Sequence, residues 1–154
     1  MSESETVDVL LVEDDLADVL MVQEALKGWR IPTSLHVAND GEEATAFLRR
    51  QRPHADAPRP AFVLLDLNMP RKDGFEVLAD VKNDDELSII PIVVFSTSSA
   101  PEHVLRSYTA RANAYVVKPQ DYDNFARVVR DIDYFYSHIA ASPQSRTTTE
   151  HQRS

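Results

Sequence analysis

The sequence predicts an α/β domain built on a parallel sheet with helices on both faces. Two observations carry this. Apolar runs of strand length alternate with segments of helical spacing, giving βαβαβαβαβα, which implies right-handed crossovers. One of the runs, Phe62-Val63-Leu64-Leu65, is unbroken, as a strand covered on both faces should be.

In chain order, Val7 to Val12 is a β-branched-rich strand that ends at Glu13-Asp14. From Leu16 to Trp29 the positions Leu16, Val19, Leu20, Val22, Leu26 and Trp29 follow helical spacing, and Gly28 and Pro32 mark the stop. Ser34 to Ala38 is the second strand, and Asn39-Asp40-Gly41 turns into a helix through Ala44, Phe47 and Leu48. The stretch Gln51 to Pro60, with Pro53, Pro58 and Pro60, reads as a long loop. After the third strand, Met69 to Asp73 is a turn, and a helix runs through Phe75, Val77, Leu78 and Val81. Ile89 to Phe95 contains the fourth strand with Pro91 at its first position, and Pro101 opens the next helix. Ala114 to Val117 is the fifth strand, and the last helix spans about Asp121 to Ile139.

The chain of 154 residues suits one domain, expected over residues 7–141, between a flexible N-terminus (1–6) and a polar C-terminal tail (142–154). No cysteine is present, so disulfides and thiolate metal sites are excluded. The acidic start Met1-Ser2-Glu3-Ser4-Glu5 is unlike a secretory leader, and no apolar run approaches the roughly 20 residues of a membrane span. A cytoplasmic protein without a membrane partner is expected. The net charge of −9 argues against nucleic-acid binding.

A parallel sheet brings the strand ends to one rim. There it would collect Glu13, Asp14 and Asp66, the hydroxyl of Ser96 or Thr97, and the ammonium of Lys118. Each close pair of carboxylates costs roughly 1 kcal/mol in water and about 4 at an intermediate dielectric. A hard divalent cation relieves that cost, and a lysine beside it suits a phosphoryl group. The chemistry suggested is Mg²⁺-assisted phosphoryl transfer onto an aspartate.

With these motifs in this order, over roughly residues 7 to 139, the chain resembles the response-regulator receiver domains that partner histidine kinases in two-component signalling. The stretches "LLDLNMPRKDG" and "SYTARANAYVVKP" most resemble single-domain regulators of bacterial phytochrome kinases. The resemblance implies a flavodoxin-like doubly wound five-stranded sheet of order 2-1-3-4-5, with its site at the topological switch point. It also implies a role for each residue. Asp66 is the phosphoacceptor, Asp14 the direct Mg²⁺ ligand, and Glu13 a weaker ligand acting directly or through water. The backbone carbonyl of Asn68 completes the protein's ligands, and Asp15 is a helix N-terminal acid. Ser96 and Lys118 bind phosphoryl oxygens, Thr97 replaces Ser96 if the register slips by one, and Tyr115 is the aromatic switch. Gly74 allows a close backbone approach, and Lys118-Pro119 is expected to be cis.

The partners implied are a sensor histidine kinase, narrowed to a bacteriophytochrome, and a second copy of the chain. Tyr134-Phe135-Tyr136 cannot all face the core, so a dimer through the fourth helix, fifth strand and fifth helix is expected. The function expected is therefore a phosphoacceptor signalling protein rather than an enzyme. An aspartate-dependent Mg²⁺ phosphatase of the haloacid-dehalogenase type would place Asp-x-Asp after the first strand, where Asp14-Asp15-Leu16 stands instead. A flavodoxin-like electron carrier would need small hydroxyl residues where Glu13-Asp14-Asp15 would repel a phosphate.

Overall fold

The computed structural model describes residues 6–141. The tail expected at 142–154 and most of the expected flexible N-terminus lie outside the described residues. The strands are β1 (Val7–Val12), β2 (Thr33–Ala38), β3 (Phe62–Leu65), β4 (Ile92–Ser96) and β5 (Ala114–Val117). The helices are α1 (Leu16–Leu26), α2 (Gly41–Leu48), α3 (Gly74–Lys82), α4 (Pro101–Thr109) and α5 (Tyr122–Tyr134), the last followed by a π-helical turn over Phe135–Ile139. All strand pairs are parallel, and the sheet order is β2-β1-β3-β4-β5. The fold is the doubly wound sheet that the sequence predicts.

Strand alternation divides the core in two. Leu10, Val12, Val63, Leu65, Ile92 and Val94 face α2 and α3. Their neighbours Val9, Leu11, Phe62, Leu64, Val93 and Phe95 face α1 and α5. Every buried strand therefore needs an apolar residue at each position, which is why β3 and β4 show no polar alternation.

Aspartates start most of the helices. Asp15, Asp40, Asp73 and Asp121 cap α1, α2, α3 and α5 by accepting from amides of the first turn. At α3 the cap is reciprocal, with Glu76 returning a bond to the Asp73 amide. Helix α4 has no side-chain cap, and Ser107 is its one fully buried residue.

The structure corrects the sequence reading in four places. Leu16 and Leu20 share the helical spacing of α1 but are 68% and 54% exposed, while Val19, Val22 and Ala25 make the buried stripe. Trp29 lies past the end of α1 and donates its indole N–H to Asp133 of α5 at 3.1 Å. Strand β4 begins after Pro91, because proline has no amide to donate. The Pro91 carbonyl accepts from Val63 and the Asn113 side chain takes the Ile92 amide. Finally, the cis proline bond is Arg52–Pro53 and Lys118–Pro119 is trans, the isomer that X-Pro favours by about 0.5–1 kcal/mol.

Candidate functional site

Strand register assembles the site. The Asp66 amide bonds the Val12 carbonyl at 3.0 Å, which sets Asp66 beside Glu13, and the Lys118 amide bonds the Ser96 carbonyl at 2.7 Å. At the carboxyl edge, Glu13, Asp14 and Asp66 each offer a carboxylate oxygen within 4.8 Å of the others. Three hard oxygen donors so close, with Asp14 exposed and the other two buried, are the donor set a small divalent cation takes. Asn68 is exposed on the loop two residues past Asp66.

Lys118 reaches into this cluster from the position just past β5, with Nζ 2.6 Å from Glu13 Oε1, 2.7 Å from Asp18 Oδ2 and 3.9 Å from Asp66 Oδ1. Burial pushes the Glu13 carboxyl up to about 7, against the pull of Lys118. Burial also raises Asp66, again opposed by Lys118. Burial alone would lower the Lys118 ammonium, but its bonds to Asp18 and Glu13 outweigh that and leave it raised. Glu13 is partly protonated near neutrality, chiefly because its carboxyl is buried.

Asp18 is the site residue that sequence reasoning missed. It lies in the first turn of α1, where an acid is ordinary for dipole reasons, and its reach to Lys118 spans 100 positions of sequence. Asp15, by contrast, points its side chain back to the Ala17 and Asp18 amides as the α1 cap and is outside the acid cluster.

Ser96 is the last residue of β4 and fully buried, with its hydroxyl accepting from the Ser98 amide at 3.1 Å, whereas Thr97 is exposed. Tyr115 is half-buried against the α2/α3-side core and donates its hydroxyl to the Ser98 carbonyl at 2.8 Å. Both expected switch residues therefore bond the same residue of the β4–α4 loop.

The β3–α3 loop carrying Asn68 is fixed by close backbone packing. A Cβ on Gly74 would stand 2.3 Å from the Asp66 carbonyl oxygen, and one on Gly41 would stand 2.2 Å from that of Lys72. Arg71, at φ +64°, pairs its guanidinium with Asp40, and Lys72 pairs with Asp80. Gly74→Ala is expected to shift the Asp66 peptide and cost about 2–4 kcal/mol. Denaturant unfolding measures this, and a loss below about 0.5 kcal/mol would show that the loop accommodates the methyl group.

A family model for the response regulator receiver domain matches residues 9–130. The chain belongs to that family, whose members act in two-component signalling. It is 41% identical over 135 residues to response regulator Rcp1 of Synechocystis sp., covering 88% of this chain and 92% of the relative. Its fold matches the crystal structure of the phosphorylated cyanobacterial phytochrome response regulator RcpA with TM-score 0.86 and 40% identity, over 90% of this chain and 99% of that one. It also matches the Mn²⁺-bound form of Rcp1 with TM-score 0.83 and 40% identity, over 89% and 99% of the two chains.

Proposed function

We propose that this chain is a stand-alone response regulator in which Asp66 accepts a phosphoryl group from the histidine of a sensor kinase. The observation that carries the reading is one carboxylate cluster, Glu13, Asp14 and Asp66, with Lys118 Nζ 3.9 Å from Asp66. In the transfer, an Asp66 oxygen forms a bond to phosphorus as the phosphorus–nitrogen bond to the histidine breaks. Asp14, Asp66 and the Asn68 carbonyl would hold Mg²⁺, with Glu13 bound directly or through water. Bound there, Mg²⁺ would screen the approach of two anions. Lys118 turns its ammonium from Asp18 and Glu13 toward the phosphoryl oxygens, and Ser96 donates its hydroxyl to them. Tyr115 and α4 follow through the loop they share, which shifts the population of partner-binding conformers. The same site promotes phosphoryl loss by hydrolysis. The test is incubation with acetyl phosphate and Mg²⁺ followed by borohydride trapping and peptide mapping. Borohydride reduces an aspartyl phosphate to homoserine with loss of phosphate, so homoserine in place of Asp66 is expected, and homoserine at another position instead would refute the assignment.

RcpA, one of the matched structures, is a phytochrome response regulator, so a bacteriophytochrome-type kinase in the cytoplasm is the partner we infer. Leu16 and Leu20, exposed on α1 a few residues from Asp14, offer an apolar strip to such a partner. A second copy is inferred at α4, β5 and the end of α5. Tyr136 turns inward onto Phe62, with ring centroids 5.4 Å apart, while Tyr134, Phe135 and Ile139 stay exposed, as do Leu105 and Tyr108 of α4. A two-fold dimer through α4, β5 and α5 would cover this patch on both subunits. Phosphorylation should tighten it by about 1–3 kcal/mol. Light scattering over a concentration series, with and without beryllofluoride, reads this directly, and a monomer under both conditions would rule the dimer out.

A further inference from the structure

Ser98 joins the phosphoryl-facing part of the domain to α4. Its amide donates to Ser96 Oγ at 3.1 Å, and its carbonyl accepts from the Tyr115 hydroxyl at 2.8 Å. Its own hydroxyl shares a hydrogen bond with His103 Nδ1 at 2.7 Å and accepts from the Ala100 amide at 3.2 Å. Every polar group of Ser98 is thus engaged.

Little else holds this end of α4. Its N-cap is Ala100, without a side-chain bond, and burial is complete only at Ser107. The Ser98–His103 bond is the side-chain tie between the β4–α4 loop and the first turn of the helix. His103 is itself well placed. Its ring meets Phe75 of α3 edge-on at 6.1 Å, Arg106 lies 3.9 Å from the same Phe75 ring, and the His103 carbonyl accepts from Ser107 Oγ at 2.9 Å.

We propose that His103 is a positioning residue that latches Ser98, so that the orientation of Ser96 and Tyr115 is set from α4. The proposal rests on the reading of Asp66 as phosphoacceptor. With the latch gone, the Ser98 peptide can turn. Turning removes the donor that orients the Ser96 hydroxyl and the acceptor that holds the Tyr115 ring. Because the bond is shared between loop and helix, phosphoryl binding at Ser96 and partner binding on α4 would be linked through it and would strengthen one another reciprocally.

The variants are His103→Phe, which keeps a ring against Phe75 but loses the bond, and His103→Asn, which can restore a hydrogen-bonding group near the Nδ1 position. Ser98→Ala, alone and combined with His103→Phe, completes a double-mutant cycle. Two readouts are used: amide exchange at Ser98 in the unliganded protein, and affinity for beryllofluoride with Mg²⁺. In His103→Phe the Ser98 amide should exchange faster and beryllofluoride should bind roughly 3- to 10-fold more weakly, the worth of one hydrogen bond. His103→Asn should recover most of both, and the double variant should be no worse than the poorer single one. Unchanged exchange would show that there is no latch. Faster exchange with unchanged affinity, or additive losses in the cycle, would reduce His103 to a structural role and overturn the proposal equally. If the unsubstituted protein fails to bind beryllofluoride, the Asp66 reading fails instead, and amide exchange alone still decides whether the latch exists.

Discussion

Asp66→Asn is expected to abolish phosphoryl labelling by acetyl phosphate and, at pH 8 without metal, to make the protein more stable. The first effect follows from replacing the nucleophilic oxygen with an amide. The second follows from linkage. Burial raises the Asp66 carboxyl in the folded protein, so the folded state binds its proton more tightly than the unfolded chain does. The sign is then fixed: stability is fully present below the unfolded pKa and is lost as pH rises through the folded one. At pH 8 the ionised Asp66 is a net cost, and an amide of the same shape removes it. Lys118 is not stranded by the change, because Glu13 and Asp18 hold it at 2.6 and 2.7 Å. Removal of one charge that burial penalises suggests a gain of about 1–2 kcal/mol, or roughly 3–8 °C in Tm. The gain should shrink as pH falls through the raised range of the folded carboxyl, where the native group takes up its proton. Thermal melts of both proteins at pH 4 and pH 8 test this. A variant less stable than the parent at pH 8 would mean that Asp66 contributes more through its contacts than it costs through charge.

Much of this site was legible in the sequence because parallel strands carry their chemistry at one end. Glu13, Asp66, Ser96 and Lys118 each end or follow an apolar run, and the topology alone carries them to one rim. Asp18 was not legible, since an acid in the first turn of a helix has a sufficient local explanation and its partner lies on the opposite side of the sequence. The same holds for Gly41, which reads as a turn glycine but is required by the Lys72 carbonyl packed against it. The two faces of α1 also could not be told apart by spacing. Leucines and valines alternate around it, and the sheet position of α1 decides that Val19 and Val22 go inward while Leu16 and Leu20 stay out. At the C-terminal aromatics, the register of α5 resolves what consecutive residues left open. Ile132 and Tyr136 are four apart and share the inward face, which turns Tyr134 and Phe135 outward.

Tyr115, the aromatic switch that the resemblance implies, shares its loop contact with Ser96. Here the ring is half-buried while the Ser96 hydroxyl is engaged by the Ser98 amide. The Tyr115 hydroxyl donates to the Ser98 carbonyl, so in this conformation the ring is held by the loop backbone.

Asp14→Ala is expected to weaken Mg²⁺ binding by roughly 10- to 100-fold, whereas Asp15→Ala should leave it within about 2-fold and instead destabilise the fold by about 1 kcal/mol. The two residues are neighbours of the same charge, so long-range electrostatics would treat them alike. Geometry does not. Asp14 belongs to the cluster whose oxygens lie within 4.8 Å of one another, while the Asp15 side chain accepts from the Ala17 and Asp18 amides to cap α1. Glu13 adds a second signature. Burial pushes it up to about 7, so near neutrality it is partly protonated, and a divalent cation among these carboxylates must lower that value and expel the proton. Calorimetric titration at pH 7 in two buffers of different ionisation enthalpy should therefore give different heats for the parent protein. Glu13→Gln should shrink that difference, because the proton Glu13 releases is gone. Equal losses of affinity in Asp14→Ala and Asp15→Ala would show that charge, not coordination, governs binding, and the assignment of Asp14 as a ligand would then fall.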